Sequence, residues 1–291
     1  MTQTRIGRNE RINGWAFIMP ALVIVGLFMI WPILWSLWMS FQTGRGMNMS
    51  FGGFDNIKRL AADPIFLTAL TNTLTFLAIQ VPVMIMLALI FAVLLNSPYL
   101  IGRGFFRTAI FLPCVTSLVA YSILFKSMFA TDGLVNQAIM TLGLEPVAWL
   151  GHPIPAKTVI ILAITWRWTG YNMIFYLAAL QNIDKSIYEA ARIDGVPAWA
   201  QFFRITIPLL KPVILFTTII STIGTLQLFD EVQNITLGGP SNATLTLSQY
   251  IYNLTFRFMP SFGYAATVSY VIVILVAILS YIQFFVARER R

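Results

Sequence analysis

Six stretches of this 291-residue chain are apolar over the length of a lipid bilayer, and that fact limits the fold more than any other. Hydrocarbon offers no partner to a backbone amide, so a crossing segment must pair its own N–H and C=O groups, and a helix of about 20 residues does so. The stretches are approximately 15–37, 69–95, 106–128, 157–180, 212–235 and 264–286. The chain is 58% hydrophobic and only 10% charged, with a mean hydropathy of +0.77, whereas a soluble domain carries about a quarter charged residues. The expectation is an all-α, polytopic membrane protein with six transmembrane helices. Arg5, Arg8 and Arg11 before the first stretch give it the look of a signal peptide. It is too long for one, contains Pro20 and Pro32 and lacks a small-x-small cleavage site, so it reads as a retained span.

The basic residues orient the bundle. With the N-terminus inside, the alternate segments on that side, which include Arg5, Arg8, Arg11, Lys185, Arg192, Arg204, Arg288, Arg290 and Arg291, hold twelve Lys and Arg, against six on the other side. That asymmetry places both termini and the 181–211 segment in the cytoplasm. The organisation expected is a cytoplasmic tail over 1–14, a six-span domain over 15–286 containing a cytoplasmic hairpin at 184–205, and a second tail over 287–291. The segments on the far side are expected to have little tertiary structure, apart from a short interfacial helix over 134–140.

That hairpin is the one long polar segment between spans that is built as structure. Ser186 and Glu189 have the spacing of a capping box, in which each side chain satisfies an amide of the first helical turn. Gly195 suits the left-handed residue that closes such a helix, and Pro197 suits the start of the next. Ala190 and Ala191 let a partner approach the backbone, and Tyr188, Ile187 and Phe202 supply apolar anchors, so the hairpin reads as a docking surface. Glu189-Ala190-Ala191, then Gly195, then Ile205-Thr206-Ile207-Pro208 resembles the EAA loop of the permease subunits of binding-protein-dependent ABC importers. In that family the loop is the coupling helix seated in a cleft of the ATPase, a role the resemblance implies for Ser186, Tyr188, Glu189, Ala190, Ala191 and Gly195. The Gly238-Gly239-Pro240 after Phe229-Asp230 resembles the sugar-permease branch of maltose/glycerol-phosphate type, specifically the first of its two unlike permease subunits.

Polar side chains inside a bilayer are costly and face a bundle interior or a water-filled path. Arg167 lies ten residues from Lys157, about 15 Å deep, and shares a helical face with Gly170 and Tyr171, with Trp168 beside them. Ser221, Gly224, Thr225 and Leu228 form one stripe of the fifth span, and Gln227, Asp230, Glu231 and Asn234 form a second, suited to an entrance. Ser221 and Thr225 offer neutral hydrogen bonds to solute hydroxyls or serve as glue between helices. Tyr171 or Trp168 can stack on a sugar face. Arg167 is suited either to an anionic group on the solute or to an internal ion pair with Asp230 or Glu231. The resemblance implies a mid-membrane sugar site at Arg167, Trp168, Tyr171, Ser221, Thr225 and Leu228.

The same residues exclude other functions. No Gly-x-x-x-x-Gly-Lys-Ser/Thr phosphate loop occurs, so the chain lacks that route to ATP hydrolysis, and ATP and Mg belong to a partner. One cysteine, Cys114, and one histidine, His152, preclude a cysteine or multi-histidine metal centre within one chain. A self-contained secondary carrier for a small polar solute is the competing reading, and it needs an ion site not visible here. An intramembrane enzyme would have only Asp230, Glu231 and His152 to work with. No catalytic, metal or cofactor residue is assigned. The resemblance implies a bacterial inner (cytoplasmic) membrane location, a second homologous permease, two cytoplasmic ABC ATPase subunits, a periplasmic solute-binding protein and a small sugar-type substrate, with membrane lipid around the spans and no nucleic acid.

Overall fold

The computed structural model describes residues 3–46 and 48–288, and the side chains of 12–46 and 48–287. Arg290 and Arg291, and the side chains of Arg5, Arg8, Arg11 and Arg288, lie outside what is described. The chain divides into two compact units, 1–62 with 251–270, and 63–250 with 271–291.

In the first unit, α1 (Gln3–Val25) passes through a π-helical turn (Gly26–Ile30) into α2 (Trp31–Ser40). The span expected over 15–37 is therefore part of a longer helix, and the stretch expected as an N-terminal tail is helical from Gln3. Its apolar window has no buried residue. Strands β1 (Gln42–Arg45) and β2 (Asn48–Phe51) pair antiparallel, and α3 (Asp55–Ala62) follows. Asn56 on α3 is buried and donates to the carbonyls of Ser40 (2.9 Å) and Gln42 (2.7 Å), so acceptors at the end of α2 and the start of β1 are satisfied. The Arg59 guanidinium lies 3.9 Å from the centre of the Tyr264 ring. The 38–68 stretch, expected to be poor in tertiary structure, is thus tied together.

The second unit begins with α4 (Pro64–Asn96), started by the Asp63 carboxylate, which accepts from the amides of Ile65 (2.9 Å) and Phe66 (3.3 Å). The span expected over 106–128 is broken: α5 (Arg103–Val115) and α6 (Leu118–Met128) meet at 101°. Pro113 removes a helical donor near the end of α5, and Thr116 and Ser117 are extended, so the ladder cannot continue. The short helix expected at 134–140 is α7 (Leu134–Thr141). Its Asn136 is fully buried, donates to the carbonyls of Thr131 (3.0 Å) and Val147 (2.9 Å), and accepts from the Val147 amide (2.9 Å) and Trp149 Nε1 (3.1 Å). This loop too is more ordered than expected.

Next come α8 (Pro153–Gln181), α9 (Lys185–Ile193) and α10 (Ala198–Gln201), which runs through a π turn (Phe202–Thr206) into α11 (Ile207–Leu226). The fifth span accordingly covers Ala198–Leu226, starting and ending earlier than the expected 212–235. Beyond it a π turn (Val232–Thr236) leads to α12 (Leu247–Tyr252), and α13 (Phe262–Arg288) closes the chain.

Helix α8 is the one the unit is built around, packing on α4, α5 and α11. Phe76, Tyr121, Ile160 and Val232 form one buried cluster, and Ala88, Leu89, Met173, Tyr176 and Leu210 another. A Cβ on Gly170 would collide with the carbonyl oxygen of Ile110, so α8 and α5 touch backbone to backbone there. Among the described residues four helices are long and apolar enough to cross a membrane, and the bent α5–α6 pair makes five. The expected count of six included α8, which has 29 residues but whose Arg167, Asn172 and threonines dilute its apolar sequence. Arg167 and Asn172 lie on its buried side, packed among other helices, while Leu162, Trp166 and Ile174 are exposed.

Candidate functional site

The second unit holds a cavity of ≈ 340 Å³ between α4, α8, α11 and the stretch just beyond α11, within the size range of small-molecule sites. Trp168 and Tyr171 come from α8, one turn apart, with their rings edge to face at 5.7 Å. Helix α11 supplies Ser221, Gly224 and Thr225 on successive turns, the periodicity that marked this stripe in the sequence. The helix ends at Leu226, so Leu228 reaches the wall from the break that follows, and Asp230 and Glu231 from the helical turn after it. Five of the six expected substrate residues, Trp168, Tyr171, Ser221, Thr225 and Leu228, therefore share one cavity. Aromatic faces, hydroxyls and amides around a space of this size can stack on C–H surfaces and hydrogen-bond hydroxyl groups.

Arg167 is the exception. It is buried, and its Nη1 donates to the Thr116 carbonyl (3.0 Å) and Nη2 to the Cys114 carbonyl (3.4 Å), the acceptors freed where α5 breaks. Its Cζ lies 4.7 Å from the centre of the Tyr121 ring and 5.6 Å from that of Trp168. It does not line the cavity, and it makes no ion pair with Asp230 or Glu231 among the described residues. The acidic partner is reached indirectly, since the Tyr121 hydroxyl donates to Glu231 Oε1 at 2.5 Å. In this structure two of its nitrogens close a broken helix end, while its buried Nε has no hydrogen-bond partner.

Several lining residues were not anticipated, among them Gln80, Met84, Asn172 and Phe229. Gln80 is buried on α4 and accepts from the Thr225 hydroxyl at 3.0 Å, which makes Thr225 helix–helix glue as well as cavity wall. An amide well inside the apolar 69–95 run was the signal that could have found it. Asp230 and Glu231, expected at an entrance, stand on the wall itself.

The 184–205 hairpin forms as a helix, a turn and the start of the fifth span. The capping box does not form, because α9 begins at Lys185 and Asp184 is its cap, accepting from the Ser186 amide at 2.9 Å. That bond holds the Asp184 carboxyl below its ordinary pKa. The cap is therefore present at neutral pH and is lost as pH falls through that depressed value. Asp184→Ala is expected to remove it at every pH, speeding hydrogen exchange at the Ser186 amide without unfolding the spans. Gly195 adopts φ +71, the left-handed conformation expected of it. Ser186, Glu189, Ala190 and Ile193 face out, whereas Ala191 is buried and the half-buried Tyr188 meets the Thr206 hydroxyl at 3.0 Å. Phe202 packs into the core, whereas Ile187, Ile193, Trp199 and Phe203 are exposed large apolar side chains of this segment.

Residues 60–291 match the family model described as the binding-protein-dependent transport system inner membrane component. The lactose transport system permease protein LacF of Rhizobium radiobacter is 64% identical over 294 residues, which cover 100% of this chain and 99% of that protein. The arabinooligosaccharides transport system permease protein AraP of Halalkalibacterium halodurans is 34% identical over 95% of this chain and 88% of its own. In fold, the chain is similar to a subunit in the crystal structure of a bacterial ABC transporter involved in the import of the acidic polysaccharide alginate. That likeness has a TM-score of 0.85 at 23% identity and covers 99% of both chains.

Proposed function

This chain belongs to the family of binding-protein-dependent transport system inner membrane components, and from that premise we propose that it forms the passage for a small sugar in an ATP-driven importer. It is a multi-pass membrane permease and a transporter component. The observation that carries the sugar reading is the cavity, which Trp168 and Tyr171 line together with Ser221 and Thr225. Lactose is the first candidate solute, because the 64% identical relative is named for it. Trp168, Tyr171, Ser221, Thr225 and Leu228, with Gln80 and Asn172, are the proposed contacts. Arg167 supports them by holding the broken span.

The proposed partners are a second homologous permease, with this chain as the first of the unlike pair, two cytoplasmic ABC ATPases that bind ATP and Mg, and a periplasmic solute-binding protein. Both termini and the α9 hairpin would face the cytoplasm, where Ser186, Glu189, Ala190 and Gly195 contact the ATPase directly and Tyr188 and Ala191 brace the helix from within. ATP-driven closure of the ATPases would then draw the hairpins together and turn the cavity between the two sides of the membrane.

The test is reconstitution of the purified complex in vesicles with lactose-loaded binding protein. ATP hydrolysis is expected to rise and lactose to enter, whereas flux through this chain alone would favour a self-contained carrier. Gly195→Val is the informative variant. No atom lies within 4 Å of a Cβ built there, so its cost is conformational, since a β-branched residue is excluded from φ +71. Loss of ATPase association with normal membrane insertion is expected, read by co-purification.

A further inference from the structure

The charged side chains that line the cavity all have one sign. Asp230 and Glu231 stand on its wall, and no lysine or arginine does. Arg167, a near neighbour, has two of its nitrogens committed to the Cys114 and Thr116 carbonyls and its guanidinium against the rings of Tyr121 and Trp168. Glu231 is buried, and one of its oxygens is held by the Tyr121 hydroxyl. The carboxylate therefore cannot swing away from a solute as an exposed one would.

We propose that Glu231, assisted by Asp230, makes this cavity reject anionic sugars, so that the permease passes uncharged saccharides and excludes uronates, sulfonates and phosphates of the same size. The inference rests on the cavity being the sugar passage and goes further in naming the charge class and the residue that sets it. The hydroxyls of an uncharged sugar donate to carboxylate oxygens, so the groups that repel an anion also bind the accepted solute. A like charge about 4 Å from a fixed one, at the effective dielectric of a partly buried site, is disfavoured on the order of 10²–10³-fold.

The probes are lactose and the same disaccharide oxidised at the galactose C6 to the uronate, titrated into the purified complex of this chain with its partner permease and ATPases, with binding followed by calorimetry. Wild type is expected to prefer lactose by about a hundredfold or more. Glu231→Gln should cut that preference by about tenfold or more, and Asp230→Asn, at an exposed position that disturbs no packing, should reduce it less. Equal binding of the two sugars by wild type, or an unchanged ratio in both variants, would overturn charge selection and leave the sugar passage standing. Binding of neither sugar would overturn both.

Discussion

Arg167→Ala is expected to abolish transport of every solute, charged or neutral, and to lower the thermal stability of the purified complex. The guanidinium satisfies two carbonyls at the 101° break between α5 and α6, and no water-filled surface replaces it, because the residue is buried among Tyr121, Trp168 and the helix end. Hydrogen bonds from a charged donor contribute about 1.5–3 kcal/mol each, so removing both is expected to cost at least about 3 kcal/mol. Arg167→Lys should recover part of this, since one ammonium can reach one carbonyl but cannot present the planar fork that meets two. The discriminating measurement pairs melting temperature with uptake of an uncharged sugar. A stable Arg167→Ala complex that still moved the neutral sugar, and had lost only anionic ones, would return the residue to solute binding.

Gly170→Val is the second large effect. A Cβ at that position runs into the Ile110 carbonyl, and a backbone atom cannot rotate aside, so α8 and α5 must separate along the contact that also positions Arg167. Overpacking of this kind costs about 1–3 kcal/mol, sometimes more. Gly170→Ala is expected to lower stability measurably, and Gly170→Val to leave little folded protein in the membrane fraction. Gly26→Ala, where a Cβ meets nothing within 4 Å, serves as the stability control. Fluorescence-detected gel filtration of the three variants orders them.

The sequence was informative where a physical rule acts on the residues themselves. Apolar length marked the helices at 64–96 and 262–288, the left-handed requirement marked Gly195, and helical spacing marked Ser221 and Thr225 on one face of α11, where both line the cavity. It was uninformative where backbone geometry supplies the partner. Arg167 pairs with carbonyls that exist only because Thr116 and Ser117 leave the helix, and carbonyls carry no sequence signal. The break itself was hidden because apolar composition continues through it. Asp184 displaced Ser186 as the cap of α9 because an aspartate at that position is an equally good acceptor two residues earlier, and spacing alone does not choose between them.

The break in the third span also sets an order of events at the ribosome. Thr116 and its guanidinium partner are 51 residues apart, so the elbow leaves the synthesis tunnel with bare acceptors and must wait for α8. At ~5–20 residues per second the wait lasts roughly 3–10 s. During that interval α5 and α6 are two short rods too brief to cross the bilayer singly, and the insertion machinery must shelter them until the arginine arrives to close the joint.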